Sequence, residues 1–268
     1  MSSHESEHEE TEVLSPTPGQ KVSKFLERSD VRKSFGLGVF FTLVFVILGG
    51  YAYPKWMPTI MSTDMKANEH LMIAFTYISA PICGLVLGIA TYTFLQRHKG
   101  DAPPEDGPAI KTNGPVVVVW SIVTSLFALL AIIWGITELN VGAEAAATDA
   151  KQAIVVEVTG SQWVWSFNYP AQGFSSTELN LPLDRPVEFK VISVDVNHSF
   201  WPVQLGVKVD ANRLETTSAE TTPTKLGVFD IKCAELCGLY HAYMESTGHV
   251  MTTSDFDNWV TAQGGHSA

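Results

Sequence analysis

Charged residues vanish from three long windows of this chain and crowd into the segments between them. The first window, 35–53, is nineteen residues without a charge. As a helix it reaches about 28 Å, close to the thickness of bilayer hydrocarbon. The second window runs from Leu71 to Leu95 and is followed at once by Arg97, His98 and Lys99. The third runs from Pro115 to Thr137. Its Val-rich start has strand propensity, but its length and lack of charge predict a membrane helix.

From Ile154 the pattern changes. IVVEVTG, QWVWSFNY, PVEFKVIS and LGVFDIK are short β-prone runs separated by Pro, Gly, Asn and Asp. About 110 residues of this kind predict an all-β sandwich or barrel. SDFDNWVTA reads as a short closing helix with Ser254 as its N-cap. The first 20 residues, rich in Ser, Glu and Pro, cannot bury enough apolar surface to fold. The expected organisation is a disordered tail over 1–34, one helix over 35–53, a helical hairpin over 71–137 and a β-domain over 150–262. Residues 141–150 read as a linker, with a helix as the alternative, and DAPPEDGP forms a loop between the second and third helices.

Basic residues set the orientation. Lys21, Lys24, Arg28, Arg32 and Lys33 precede the first span, and the Arg97–Lys99 cluster lies between the second and third. The positive-inside rule puts both in the cytoplasm, so the β-domain lies on the outer face. A cleaved secretory leader is the competing reading of the first span. The long acidic segment before it and its extended apolar core speak against that.

Net charge changes the picture further. The chain carries −11, and residues 138–268 hold 16 acidic against 7 basic side chains. Such a surface argues against nucleic acid and suits a basic protein partner.

The chemistry concentrates in CAELCGLYHAYM, which places Cys233, Cys237, His241 and Met244 within twelve residues; VDVNHSFW adds His198. Cys233 and Cys237 taken alone fit a disulfide or a zinc pair as well as copper. The whole set of two thiolates, two imidazoles and a thioether favours copper. A mononuclear blue-copper site needs one Cys. A second thiolate allows two bridged ions, each with one His, and leaves weak positions to Met244 and a backbone carbonyl. No residue has the look of a general base or nucleophile, so the expected task is electron transfer alone. Cys83 lies inside an apolar window and reads as packing.

These segments, with SQWVWSFNY and DVNHSFWPVQLGVKVDA, resemble subunit 2 of cytochrome c oxidase across residues of about 70–262. The resemblance implies transmembrane helices followed by a cupredoxin-like β-barrel or sandwich with a binuclear copper centre, CuA. It implies His198, Cys233, Cys237, His241 and Met244 as copper ligands. It implies that Glu235 lends its backbone carbonyl to copper and its side chain to a magnesium ion bordering the catalytic subunit. Trp163 matches the residue through which cytochrome c delivers electrons; Trp165 reads as core packing. Asp195 stands where the family has an acid near the ligand His. The implied partners are the heme-copper subunit 1, other oxidase subunits and cytochrome c, with heme only in the partner subunit.

Two departures stand out. The family usually has two spans, so the first helix is additional. Many members also carry a Glu just before the Trp that begins the second family helix, whereas GPVVVV precedes Trp120 here. That leaves room for the copper-containing subunit of a heme-copper nitric oxide reductase. A quinol-oxidase subunit would lack the copper ligands, which are complete here. A copper carrier would not need Trp163 or three helices. The acidic leader and extra span point to a bacterial plasma membrane.

Overall fold

The computed structural model describes residues 28–96, 113–149 and 153–266. Helix α1 (Ser29–Ile47) continues through a π-helical turn, Leu48–Ala52, and a short helical turn, Tyr53–Trp56. Helix α2 spans Thr63–Leu95 and helix α3 spans Gly114–Asp149. All three contain stretches long and apolar enough to cross a membrane.

The helices outrun the charge-free windows. α1 begins at Ser29 because Arg28 and Asp30 pair at 2.7 Å and the Arg32 N–H donates to the Arg28 carbonyl. An acid in the first turn of a helix is favourable there. Residues 28–34 therefore do not belong to an unstructured tail, and the rest of that expectation, residues 1–27, lies outside the described residues. α3 runs on through 141–149, the stretch read as a linker open to helix formation. The loop expected between the second and third helices, with Arg97–Lys99 and DAPPEDGP, lies outside the described residues.

The chain forms two units. In the first, α1 meets the later part of α2 through glycine. A Cβ on Gly88 would stand 2.3 Å from the Gly38 backbone nitrogen, and one on Gly84 would stand 2.6 Å from that of Thr42. Only hydrogen fits at these crossings, as expected for close helix packing in lipid.

The second unit joins Pro54–Met72 to the β-domain. Ser62 caps α2, accepting from the Met65 N–H at 3.0 Å and donating to the Leu205 carbonyl at 2.6 Å. Asn68 Nδ2 donates to the Gly206 carbonyl, and Thr221 Oγ1 donates to the Asp64 carboxylate. Gly206 has φ of +68°, and any Cβ there would lie 2.6 Å from the Met65 backbone, so two constraints require glycine.

Ten strands build two five-stranded sheets. They are β1 (Ile154–Ser161), β2 (Val164–Tyr169), β3 (Phe174–Ser176), β4 (Leu179–Pro182), β5 (Val187–Ser193), β6 (His198–Pro202), β7 (Val209–Ala211), β8 (Thr217–Thr221), β9 (Gly227–Cys233) and β10 (Glu245–Met251). One sheet has the order β3-β2-β1-β5-β8 and the other β4-β10-β9-β6-β7. Pairing is antiparallel except for β1 with β5 and β4 with β10. Alternate residues face inward, as a half-buried strand demands. Val156, Val158, Phe167, Phe189 and Val191 from one sheet meet Phe200, Phe229 and Ile231 from the other, all fully buried. The architecture is apolar helices followed by an all-β, cupredoxin-like sandwich.

Helix α4 (Thr253–Ala262) closes the sandwich by burying Phe256 and Val260. Its cap is Thr252 rather than Ser254. Thr252 Oγ1 accepts from the Asp255 N–H and donates to the Asp255 carboxylate, so Asp255 secures a position two residues earlier than expected.

Candidate metal centre

The site forms where two neighbouring strands end together. β6 and β9 pair antiparallel with Phe200 opposite Cys233. This register puts His198, the first residue of β6, beside Cys233, the last of β9. The loop 234–244 then returns to β10, closed by the Cys233 N–H donating to the Met244 carbonyl at 3.1 Å. A second bond, from the Ala234 N–H to the Ser199 carbonyl, fixes the loop to β6.

The donor atoms converge. Cys233 Sγ and Cys237 Sγ are 3.8 Å apart. His198 Nδ1 is 3.9 Å from Cys233 Sγ, and His241 Nδ1 is 3.5 Å from Cys237 Sγ. Met244 Sδ lies 3.7 Å from Cys237 Sγ, and the Glu235 carbonyl oxygen lies 3.2 Å from Cys233 Sγ. Each imidazole thus has its own sulfur, and the two sulfurs sit between them.

These spacings are ligand spacings. Metal–sulfur and metal–nitrogen bonds of about 2.3 and 2.0 Å, opened to a tetrahedral angle, separate two ligands by about 3.5–3.8 Å. A disulfide needs about 2.05 Å, and both cysteines are free thiols. His198, Cys233 and Cys237 are all buried, and their ligand atoms lie within 4.8 Å of one another. The residues present fit a copper centre, with both thiols and the His198 imidazole buried and His241 partly exposed.

Neighbouring groups hold this geometry. His198 Nε2 contacts Asp195 Oδ1 at 2.8 Å. A proton donated there leaves the Nδ1 lone pair facing the sulfurs, which is the tautomer a metal ligand needs. Burial raises the Asp195 pKa, but bonds from His198 and from the Gln162 and Val196 N–H groups outweigh it and hold the carboxyl at about 2. Burial, with the adjoining Cys233 thiol, pushes Cys237 up to about 11. Trp165 is buried and packs edge-on against His198 and Phe200, with centroids 5.9 and 5.4 Å away. Gly160 makes that possible, since a Cβ there would lie 2.9 Å from the Trp165 ring and 3.1 Å from that of His198.

Trp163 stands apart from the donor atoms on the β1–β2 turn. It is half-buried, meets Tyr240 edge-on at 4.7 Å, and its indole N–H has no hydrogen-bond partner among the described residues. Glu235 has an exposed side chain, while its carbonyl oxygen lies at the Cys233 sulfur. Three neighbours were not singled out from sequence: Gly160, Gln162 and Tyr240. Only Gln162 carried a visible signal, its place directly before Trp163.

The family model for cytochrome c oxidase subunit II, periplasmic domain, matches residues 174–249. Quinol oxidase subunit 2 of Bacillus subtilis is 30% identical over 223 residues, covering 82% of this chain and 69% of that protein. This chain belongs to the cytochrome c oxidase subunit 2 family. Cytochrome c oxidase subunit 2 of Synechocystis sp. is 26% identical over 249 residues, covering 77% of this chain and 75% of that relative. Among solved structures, the periplasmic domain of subunit II of cytochrome oxidase from Bradyrhizobium japonicum is 28% identical, covering 42% of this chain and 94% of that one, with a TM-score of 0.41. As a subunit 2 family member, the chain is part of an oxidoreductase complex.

Proposed function

We propose that this chain is the electron-accepting subunit of a respiratory terminal oxidase. It takes electrons from cytochrome c at a binuclear CuA centre for delivery to the heme-copper catalytic subunit, where oxygen is reduced to water. The observation that carries this reading is the pairing of each imidazole with its own sulfur around two cysteine sulfurs 3.8 Å apart. His198, Cys233, Cys237, His241, Met244 and the Glu235 carbonyl would hold the copper pair. A copper pair held by these residues would supply one-electron transfer with little rearrangement.

The protein's own part is to prevent rearrangement. Asp195 orients His198, Gly160 and Trp165 wall it in, and backbone bonds pin the loop at Cys233 and Ala234. Trp163, half-buried on the neighbouring turn, is the site where the donor meets the domain. The excess of acid in residues 138–268 steers a basic donor toward the domain. The exposed Glu235 carboxylate would hold magnesium at the border with subunit 1. The helices span the plasma membrane with the N-terminus inside and the sandwich outside.

Electron paramagnetic resonance of the purified full-length chain loaded with copper tests the centre. One unpaired electron divided equally between two copper nuclei is expected; a single-copper spectrum would sink the reading. GPVVVV before Trp120 favours a second possibility, a nitric oxide reductase using the same centre. Oxygen and nitric oxide consumption by the assembled complex separates the two.

A further inference from the structure

Gln162 sits on the β1–β2 turn directly before Trp163, and two hydrogen bonds lead from it in different directions. Its backbone N–H donates to Asp195 Oδ2 at 2.7 Å, while Asp195 Oδ1 takes His198 Nε2 at 2.8 Å. Its side-chain Nε2 donates to the Cys237 carbonyl at 2.7 Å. One residue thus touches both halves of the ligand set, His198 on β6 through a carboxylate and Cys237 on the loop directly.

The next loop residue seals the contact. Gly238 has φ of +118°, and a Cβ there would lie 2.9 Å from Gln162 Nε2 and 3.5 Å from the Trp163 ring. The loop backbone therefore approaches the turn closely, and a side chain at 238 would displace the Gln162 amide. Cys237 is the hub of the centre, within 3.8 Å of Cys233 Sγ, His241 Nδ1 and Met244 Sδ. A bond that fixes its carbonyl fixes the hub.

We propose that Gln162 is a positioning residue that locks the Trp163 turn onto the copper-ligand loop and so sets where Cys237 stands relative to His198. The inference rests on the copper reading above. Gln162 is itself exposed, so its side chain supports no core, and its replacement opens no cavity. Loss of the amide donor frees the Cys237 carbonyl while leaving the sandwich intact. Partners of this kind, one bond removed from a metal ligand, change metal affinity by about 10- to 100-fold when removed.

The test compares the native full-length chain in detergent with Gln162→Leu, which removes the donor, and Gln162→Lys, which restores one of similar reach. Each is loaded with copper and read three ways: retention against a Cu(I) chelator, the resonance spectrum, and thermal melting of the metal-free protein. The leucine variant is expected to lose copper about tenfold more readily. Its spectrum should show the electron divided unequally, while metal-free melting stays within about 2 °C of native. The lysine variant should recover retention. A leucine variant with native retention and spectrum overturns the inference while leaving the copper reading intact. So does a loss of retention that follows a matching drop in metal-free stability, because Gln162 would then be structural only. A native chain that shows no two-copper spectrum removes the copper reading and this inference together.

Discussion

Single side chains divide here into those that bind and those that aim. Trp163 is of neither kind, since it touches no donor atom and buries only part of its ring. Trp163→Phe in the assembled complex should slow copper reduction by cytochrome c about tenfold, a barrier change of about 1.4 kcal/mol. Stopped-flow reduction with an unaltered copper spectrum is the check, and an unchanged rate discards the assigned role. Tyr169 tests the frame in the same way. Its hydroxyl donates to the Asn180 carbonyl at 2.9 Å and accepts from the Asn180 N–H at 3.1 Å, wholly buried. Burial raises its pKa, the Asn180 bond notwithstanding. Tyr169→Phe should cost about 1–2 kcal/mol, since two backbone groups lose their partner. Chemical denaturation of the full chain measures it, and no loss would mean the pocket rearranges.

At the scale of elements, the caps carry the measurable consequences. Ser62→Ala removes one oxygen that caps α2 and also ties it to the Leu205 carbonyl. A loss of about 1–2 kcal/mol is expected, seen as faster amide exchange at Met65. Exchange at the native rate would show that the clamp contributes little. How legible such features were depended on their range. The strand runs IVVEVTG and PVEFKVIS could be read because burial alternates with period two along each. The ligands could be read because four of the five lie within twelve residues. The early start of α1 was hidden, because its first turn is held by a charged pair rather than by apolar periodicity. Thr252 stands out over Ser254 only through the Asp255 carboxylate, which selects it across three residues. Gly160, Gln162 and Tyr240 meet the centre only through tertiary approach, which no local pattern records.

For the molecule as a whole, charge and metal dominate. The excess of acid in residues 138–268 predicts that the rate of reduction by a basic donor falls as salt rises, because screening shortens the reach of steering. A second-order rate that stays flat between about 10 and 150 mM ionic strength would count against electrostatic docking. Copper binding should raise the melting temperature of the full chain, since a ligand held only by the native state stabilises it. Chelation should return it to the metal-free value, and identical melting with and without copper would exclude tight binding.

The spacing of Cys233 and Cys237 has a further meaning for how the protein is made. Two free thiols whose sulfurs stand 3.8 Å apart are one two-electron oxidation from a bond with each other. Under oxidising conditions that bond forms readily, and once formed it shuts out the metal. Maturation is therefore a race whose order matters: a reductant or the copper itself must arrive before the oxidant does.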